Sequence, residues 1–416
     1  MISEAKQCRI CGNTELISIV NLGEQSLTGV FPKTRDEQIT SGPLELVKCS
    51  GGDSVCGLVQ LRQSYDLQEM YGLNYGYRSG LNRSMVEHLR DLVRQICAVA
   101  DPKAGDLVID IGSNDSTLLQ AYPKDGPTLV GIDPTGVKFK QYYPDHISLI
   151  PDFFSAAAVN THLGARKAKV ISSIAMFYDL ESPIDFMHQI REVLADDGVW
   201  LFEQSYMPTM LDVNAYDTIC HEHLEYYGLA QIKWMTDRAG FKIIDVALNN
   251  VNGGSFAVMV AKTDSRYPEA TAKIAALLRD EATRGLHTLA PYHEFKTRIF
   301  EHRDQLLDFV AKAKQDQALL LGYGASTKGN VILQFCKLSA ADIPSIAEVN
   351  EEKFGCYTPG TLIPIVSERE ARALKPAYFL VLPWHFKQTI IERERDYLMG
   401  GGKLVFPLPT IEAVGR

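Results

Sequence analysis

Long apolar runs are missing from this 416-residue chain. None approaches the roughly 18 residues that a bilayer span demands, so no membrane segment is expected. The opening Met1-Ile2-Ser3-Glu4-Ala5-Lys6 lacks the apolar core of a signal peptide, which makes the cytoplasm the expected location. Positive charge is in deficit, with 42 Lys and Arg against 51 Asp and Glu, a net charge of −9. Neither nucleic acid nor an anionic lipid surface is therefore an expected partner. No tandem repeat or low-complexity stretch is visible, and the oligomeric state is left open. Hydrophobic residues at 46% and charged ones at 22% are ordinary for a globular protein, and the length predicts two or three domains.

Cysteine is sparse after residue 56. Four of the eight fall at Cys8, Cys11, Cys49 and Cys56, while Cys97, Cys220, Cys336 and Cys356 show no metal-like spacing. Cys8-Arg9-Ile10-Cys11-Gly12 is a C-x-x-C knuckle. Cys49 and Cys56 form a wider pair with Gly51, Gly52 and Asp53 between them. In a cytoplasmic protein, four such thiolates fit a structural tetrahedral zinc site better than disulfides. A closed four-sulfur site offers no open position to a substrate, so its expected role is in folding. The alternative is a small domain with reduced, buried thiols.

The chain is organised around Leu107-Val108-Ile109-Asp110-Ile111-Gly112-Ser113-Asn114-Asp115. A branched apolar run stops at an acid and breaks into small residues, with apolar Leu118, Leu119 and Tyr122 following. The pattern predicts a buried parallel strand, a tight turn and a helix start. Leu129-Val130-Gly131-Ile132-Asp133 repeats the strand that ends in a carboxylate, about twenty residues on, where an acid takes ribose hydroxyls. Only one glycine stands in the turn, so a G-x-G-x-x-G dinucleotide fingerprint is absent. The turn instead resembles the first motif of class I S-adenosylmethionine-dependent methyltransferases. That resemblance implies Asp110, Gly112 and Asn114 at the methionine end of the cofactor and Asp133 at its ribose. Asp152-Phe153, after a third apolar run, pairs an acid with an aromatic fit to stack on adenine; core packing accounts for the ring as well. Further strands are expected at 170–178 and 198–204, which places Tyr178 and Glu203 at the same crevice.

Strands and helices alternate to about residue 265, the pattern of an open parallel sheet. A charged helical region, 268–315, leads to a second strand–glycine turn–helix, Leu319 to Asn330, and to strands near 343–349, 378–383 and 403–406. The fold class is thus α/β. The expected units are a small N-terminal module, 1–68, a central domain, 69–265, and a C-terminal Rossmann-like domain, 266–416. In the last, Gly322-x-Gly324 before a helix is placed to present backbone N–H groups to a diphosphate, with Lys328 adding charge; a purely structural turn is the alternative.

The densest polar cluster is Tyr216-Asp217-Thr218-Ile219-Cys220-His221-Glu222-His223-Leu224-Glu225-Tyr226-Tyr227. Two histidines flank a carboxylate. Metal binding lacks a third ligand at a recognisable offset, and general acid–base work is the stronger reading. Taken in order, the four cysteines, Asp110 to Asp115, His221-Glu222-His223, Gly322 to Lys328 and Pro383-Trp384-His385 resemble the sugar C-methyltransferases of deoxysugar biosynthesis. The resemblance implies a zinc-binding N-terminal domain, a class I methyltransferase domain and a C-terminal Rossmann-like domain. It also implies methylation, from S-adenosylmethionine, of the carbon beside a ketone in a nucleotide-linked sugar. His223 is then the base, Glu222 its orienting partner, and His221 the reserve. Tyr77, Tyr75 and Tyr178 are expected near substrate, as are Lys328, Gly324 and His385. Cys220 and Tyr178 depart from the pattern of some members, and Ser116 stands where a glycine is expected. An O- or N-methyltransferase, a zinc-stabilised binding protein without activity and a nicotinamide-binding role for the C-terminal unit are the rival readings.

Overall fold

A computed structural model describes residues 2–415 except 53 and 72–76, so Tyr75 lies outside the described residues. Three principal sheets are present among them. The first is a four-stranded antiparallel sheet built on a long hairpin, Leu16–Ser26 against Ser41–Cys49, continued by Val59–Leu61. Its fourth strand, Glu225–Tyr226, comes from far along the chain, with Glu225 opposite Gln60.

The seven-stranded sheet runs in the order Phe241–Asn249, Ser255–Lys262, Leu194–Ser205, Ala168–Ile174, Leu107–Ile111, Thr128–Ile132, Ile147–Ile150. The last five are parallel, and Ser255–Lys262 pairs antiparallel with both of its neighbours. All five residues of Leu107–Ile111 are buried, as a central strand covered on both faces requires. Strand order reverses beside this strand, and a ligand crevice opens there beyond the carboxyl ends. Helix Arg83–Ala100 covers one face with Met85, Leu89, Leu92, Val93 and Ile96, the apolar positions the sequence spacing predicts.

The six-stranded sheet follows the order Ile365–Ser367, Ile346–Glu348, Leu320–Tyr323, Tyr378–Val381, Lys403–Phe406, Glu412–Val414, with only the last strand antiparallel. The expected charged helical region is two helices, Thr271–Thr283 and Ala290–Gln315. The α/β class, with a small cysteine-bearing sheet and two Rossmann-like sheets, is what the sequence predicts.

One expectation fails. No α-helix follows the Gly112 turn, and only a single 3-10 turn, Leu119–Ala121, precedes the next strand. Asn114 at φ 48° and Ser116 at φ 63° hold left-handed backbone that cannot begin a helix. Ser116 therefore keeps the conformation of the glycine it replaces, and its hydroxyl donates to the Tyr142 carbonyl at 3.1 Å.

An aromatic cluster fixes the strand end that carries Tyr178 and Asp179. Phe177 is fully buried, with ring centroids 5.4 Å from Trp200, 5.1 Å from Phe202, 5.6 Å from Tyr227 and 5.9 Å from Phe186. Such pairs contribute about 0.5–1.5 kcal/mol each beyond burial. Phe177→Ala should therefore lower stability by about 3–5 kcal/mol in a urea titration. Phe153→Ala, at a ring 44% exposed, should leave the midpoint unchanged.

Candidate active site

The four cysteines meet although Cys49 and Cys56 are widely spaced. Their sulfurs all lie within 4.8 Å of one another, with Cys8 to Cys56 at 3.4 Å and Cys11 to Cys49 at 3.5 Å. Zinc–sulfur bonds of about 2.3 Å in a tetrahedron need sulfurs at about this separation, so the set fits the ion. Asn13 Nδ2 donates to the Cys49 sulfur at 3.3 Å, the kind of outer contact that steadies a thiolate.

At the central strand, Gly112 takes φ +72°, and a Cβ there would stand 3.2 Å from Met176 Cγ across the crevice. Asp133 is held ready: its carboxylate accepts from Asn114 N at 2.7 Å, Thr135 N at 2.7 Å and Thr135 Oγ1 at 2.6 Å. Thr135 takes both lone pairs of Oδ1, and Oδ2, with only Asn114 N on it, keeps one for a ribose hydroxyl. Asp110 accepts from Ser172 Oγ at 2.6 Å, and burial, with Asp133 nearby, pushes its carboxyl up to about 7. Asp152 turns back to accept from Phe153 N at 2.7 Å. The Phe153 ring is exposed, whereas Phe154 packs on Phe186 at 5.0 Å, so of the two only Phe153 can face an adenine.

The Gly112 turn also grips the chain before helix Arg83–Ala100. Asn114 Oδ1 accepts from Ser79 N at 3.0 Å, its Nδ2 donates to the Tyr77 carbonyl at 3.1 Å, and Asp115 accepts from Gly80 N at 2.9 Å. Tyr77 is thereby pinned at the cofactor turn with its side chain 47% exposed.

The polar cluster divides. His221 is fully buried against the small sheet, with Nδ1 3.4 Å from Thr28 Oγ1, Nε2 3.2 Å from the Gln25 carbonyl and the Tyr65 ring edge-on at 4.6 Å. Burial lowers its pKa to about 4. Both nitrogens are occupied, so His221 serves as a pin between modules rather than as a reserve base. His223 is half-buried, and its Nδ1 donates to the Thr218 carbonyl at 2.9 Å. That bond fixes the tautomer and leaves Nε2 as the acceptor. The Tyr178 ring lies 4.2 Å from the imidazole, centroid to centroid. Burial, reinforced by the Lys328 charge, lowers the pKa of His223 to about 3 and keeps the ring neutral.

The expected partnership is corrected here: the Thr218 carbonyl, not Glu222, orients His223. Glu222 is buried, its carboxyl pushed up to about 7 by desolvation with the Cys220 thiol opposing, and it presses on Gly29. A Cβ on Gly29 would run into Glu222 Oε1, so a larger residue there would have to push the carboxylate aside.

The C-terminal unit enters through Trp384, whose indole N–H donates to Asp217 Oδ2 at 2.7 Å. His385 arrives beside it with a buried, unpartnered Nδ1. Burial and the Lys328 charge hold its pKa well below the usual range. Lys328 Nζ donates to the Asn252 carbonyl at 2.9 Å. The diphosphate cradle expected at Gly322 to Ala325 is otherwise employed. Gly324 N donates to the Ala347 carbonyl at 2.8 Å and Ala325 N to Glu348 Oε2 at 2.8 Å. Gly324 is glycine because it takes φ +81° and a Cβ would strike Pro383 at 2.7 Å. Sequence reasoning missed Asp217, Thr218 and Asp179 as site groups. The first two stand within the polar cluster, and the third follows Tyr178 at a strand end.

Family models match the whole of this framework: a zinc binding domain at residues 8–71, a methyltransferase domain at 77–246 and a C-methyltransferase C-terminal domain at 250–409. Along these three stretches the chain is similar to the C-methyltransferases. It is an S-adenosylmethionine-dependent methyltransferase that also binds zinc. The C-methyltransferase NovU of Streptomyces niveus is 29% identical over 407 residues, 97% of this chain and 95% of its own. Solved structures are more distant. The CcbJ methyltransferase of Streptomyces caelestis is 13% identical at TM-score 0.33, covering 42% of this chain and 89% of its own. An S-adenosylmethionine-dependent methyltransferase of Clostridium acetobutylicum is 11% identical at TM-score 0.33, covering 42% and 92%. Among the described residues no helix is long and apolar enough to cross a membrane.

Two outcomes check the site. Cys8→Ser should lower bound zinc, measured by elemental analysis, and destabilise the fold, because metal binding is folding free energy. Asp133→Ala should weaken S-adenosylmethionine binding about 10- to 100-fold in calorimetry, as loss of a hydrogen bond to a charged partner costs about 1.5–3 kcal/mol.

Proposed function

We propose that this C-methyltransferase acts on a nucleotide-linked keto-deoxysugar, methylating the carbon next to the ketone through an enolate. The chamber lies where the units proposed from the sequence, 1–68, 69–265 and 266–416, converge. The observation that carries the reading is His223: Nδ1 is committed to the Thr218 carbonyl, and Nε2 has no hydrogen-bond partner among the described residues. A methyl acceptor that is already nucleophilic has little use for such a base. A carbon beside a ketone needs one.

Bound S-adenosylmethionine would supply an electrophilic methyl group; Asp133 and the turn at Gly112 to Asn114 would hold it, and Phe153 would take the adenine. His223 takes the substrate proton at Nε2. Its ring is neutral across the physiological range, and the imidazolium formed keeps its N–H on Thr218. The Lys328 ammonium acts on His223, His385 and Asp217 together, so it sits at the shared mouth of the two α/β units. There it suits an anionic portion of the substrate, with the unpartnered His385 Nδ1 beside it. Tyr77 and Tyr178 are the sugar-facing hydroxyls. Tyr178, packed on the base, limits how the sugar ring can enter.

Incubation with labelled S-adenosylmethionine and a panel of thymidine and guanosine diphosphate 4-keto-6-deoxyhexoses should give a product whose new methyl, located by NMR, is on carbon. A methyl on oxygen or nitrogen would overturn the reading. With S-adenosylhomocysteine bound, wild-type enzyme in D2O should exchange the hydrogen beside the ketone. His223→Ala should lose that exchange and at least about 100-fold in kcat, the lower bound of what a positioned base contributes.

A further inference from the structure

The loop after strand Ala168–Ile174 carries a buried acid that the function above leaves unused. Asp179 follows Tyr178, whose ring lies on the His223 imidazole, and it stands in the turn Phe177–Asp179 anchored by the Phe177 aromatic cluster. Its Oδ2 accepts from Tyr71 Oη at 2.7 Å. Its Oδ1 is buried and has no hydrogen-bond partner among the described residues. A charge in that position would be left half-solvated by a single phenol. A neutral acid has a proton to offer from the vacant oxygen.

The surroundings keep the acid neutral. Burial raises its pKa well above the usual carboxylate range, the Tyr71 bond opposes this, and the Glu222 charge adds to it. Glu225, Tyr226 and Cys220 also feel Asp179, and each would be made harder to ionise by its negative charge. Arg9 is engaged with Glu181 at 3.1 Å and Glu225 at 3.9 Å. Among the groups that set the ionisation of Asp179, none is a cation.

We propose that Asp179 is a catalytic acid in its protonated form, donating a hydrogen bond from the carboxyl to the substrate ketone oxygen while His223 removes the proton from the adjacent carbon. This rests on the enolate reading above. His223 Nε2 gains the carbon-bound proton, and the C–H electron pair becomes the enol double bond. The former carbonyl pair moves onto oxygen, where the Asp179 O–H stabilises the charge without giving up its proton. Base and donor thus come from different segments, the loop after Thr218 and the turn after Ile174. A neutral carboxylic acid held by burial to serve an oxyanion is a known solution to this problem, and removing one such donor costs about 100- to 1,000-fold in kcat.

The test uses the full-length zinc-bound enzyme and whichever ketosugar of the panel it methylates. Asp179→Ala should lower kcat about 100-fold or more, with S-adenosylmethionine affinity and thermal midpoint near wild type. Asp179→Asn, which retains an N–H donor at the same place, should recover part of the loss. The wild-type rate should fall on the alkaline side as the acid ionises, because the donor is present only below its raised pKa, and Asp179→Asn should lack that limb. Solvent exchange beside the ketone should slow in parallel with kcat. Unchanged kcat in Asp179→Ala, or an alkaline limb that persists in Asp179→Asn, would overturn the role of Asp179 while leaving C-methylation intact. If instead no ketosugar is methylated on carbon, the enolate reading itself fails, and the role of Asp179 with it.

Discussion

Segment 216–227 is held by all three units at once, and the geometry of the reaction chamber depends on that shared grip. Leu224 N donates to the Tyr178 carbonyl at 2.8 Å, and the Leu224 carbonyl accepts from Leu61 N at 2.8 Å. His221 reaches Gln25 and Thr28, and Asp217 takes the Trp384 indole. A backbone restrained on so many sides can keep the Thr218 carbonyl under His223, and with it the tautomer of the ring. A freer loop would have to order itself on binding, which costs about 1–2 kcal/mol for each residue fixed.

The electrostatic character of the chamber follows from the same crowding. Burial is the first cause at His221, Glu222, His223, His385 and Asp179: the imidazoles are driven toward the neutral base and the carboxylates toward the neutral acid. Lys328 is the notable positive charge, and it lies at the junction with the C-terminal unit rather than beside Glu222. A chamber of neutral bases and acids is suited to moving protons. A chamber of fixed ion pairs is suited to holding a charged ligand in place. Both characters meet at His223, which is buried and also feels the Lys328 charge.

Much of the framework was legible in the sequence because its signals are local. Apolar runs that end in acids marked Leu107–Ile111 and Thr128–Ile132, and helical spacing marked Arg83–Ala100. The cysteine pairs marked the metal site, since thiolates have few other uses at such spacing. What was illegible is long-range. The hairpin Leu16–Ser26 and Ser41–Cys49 has register shifts that break its alternation, so no strand period shows. Gly322 and Gly324 read as a phosphate turn, whereas they make room for Ile346 and Pro383, contacts supplied from other strands. His221 and His223 look equivalent in the sequence. Burial against the N-terminal sheet separates them, and Asp179 looks like any acid at a strand end until Tyr71 is found on one oxygen and no described residue bonds the other.

The closeness of Gly29 to Glu222 has a consequence for how the enzyme can be taken apart. The N-terminal module lies against Glu222, with bare backbone at Gly29 where a Cβ would push the carboxylate aside. Its hairpin is continuous with the sulfur cluster through Cys49 and is tied to the catalytic domain by the Gln231 amide on the Cys56 carbonyl at 2.9 Å. A shortened enzyme beginning after residue 71 would retain the crevice for the methyl donor but would leave Glu222 and the inner face of His221 open to water. The sulfur cluster thus braces, from a distance, the module that covers Glu222 and His221.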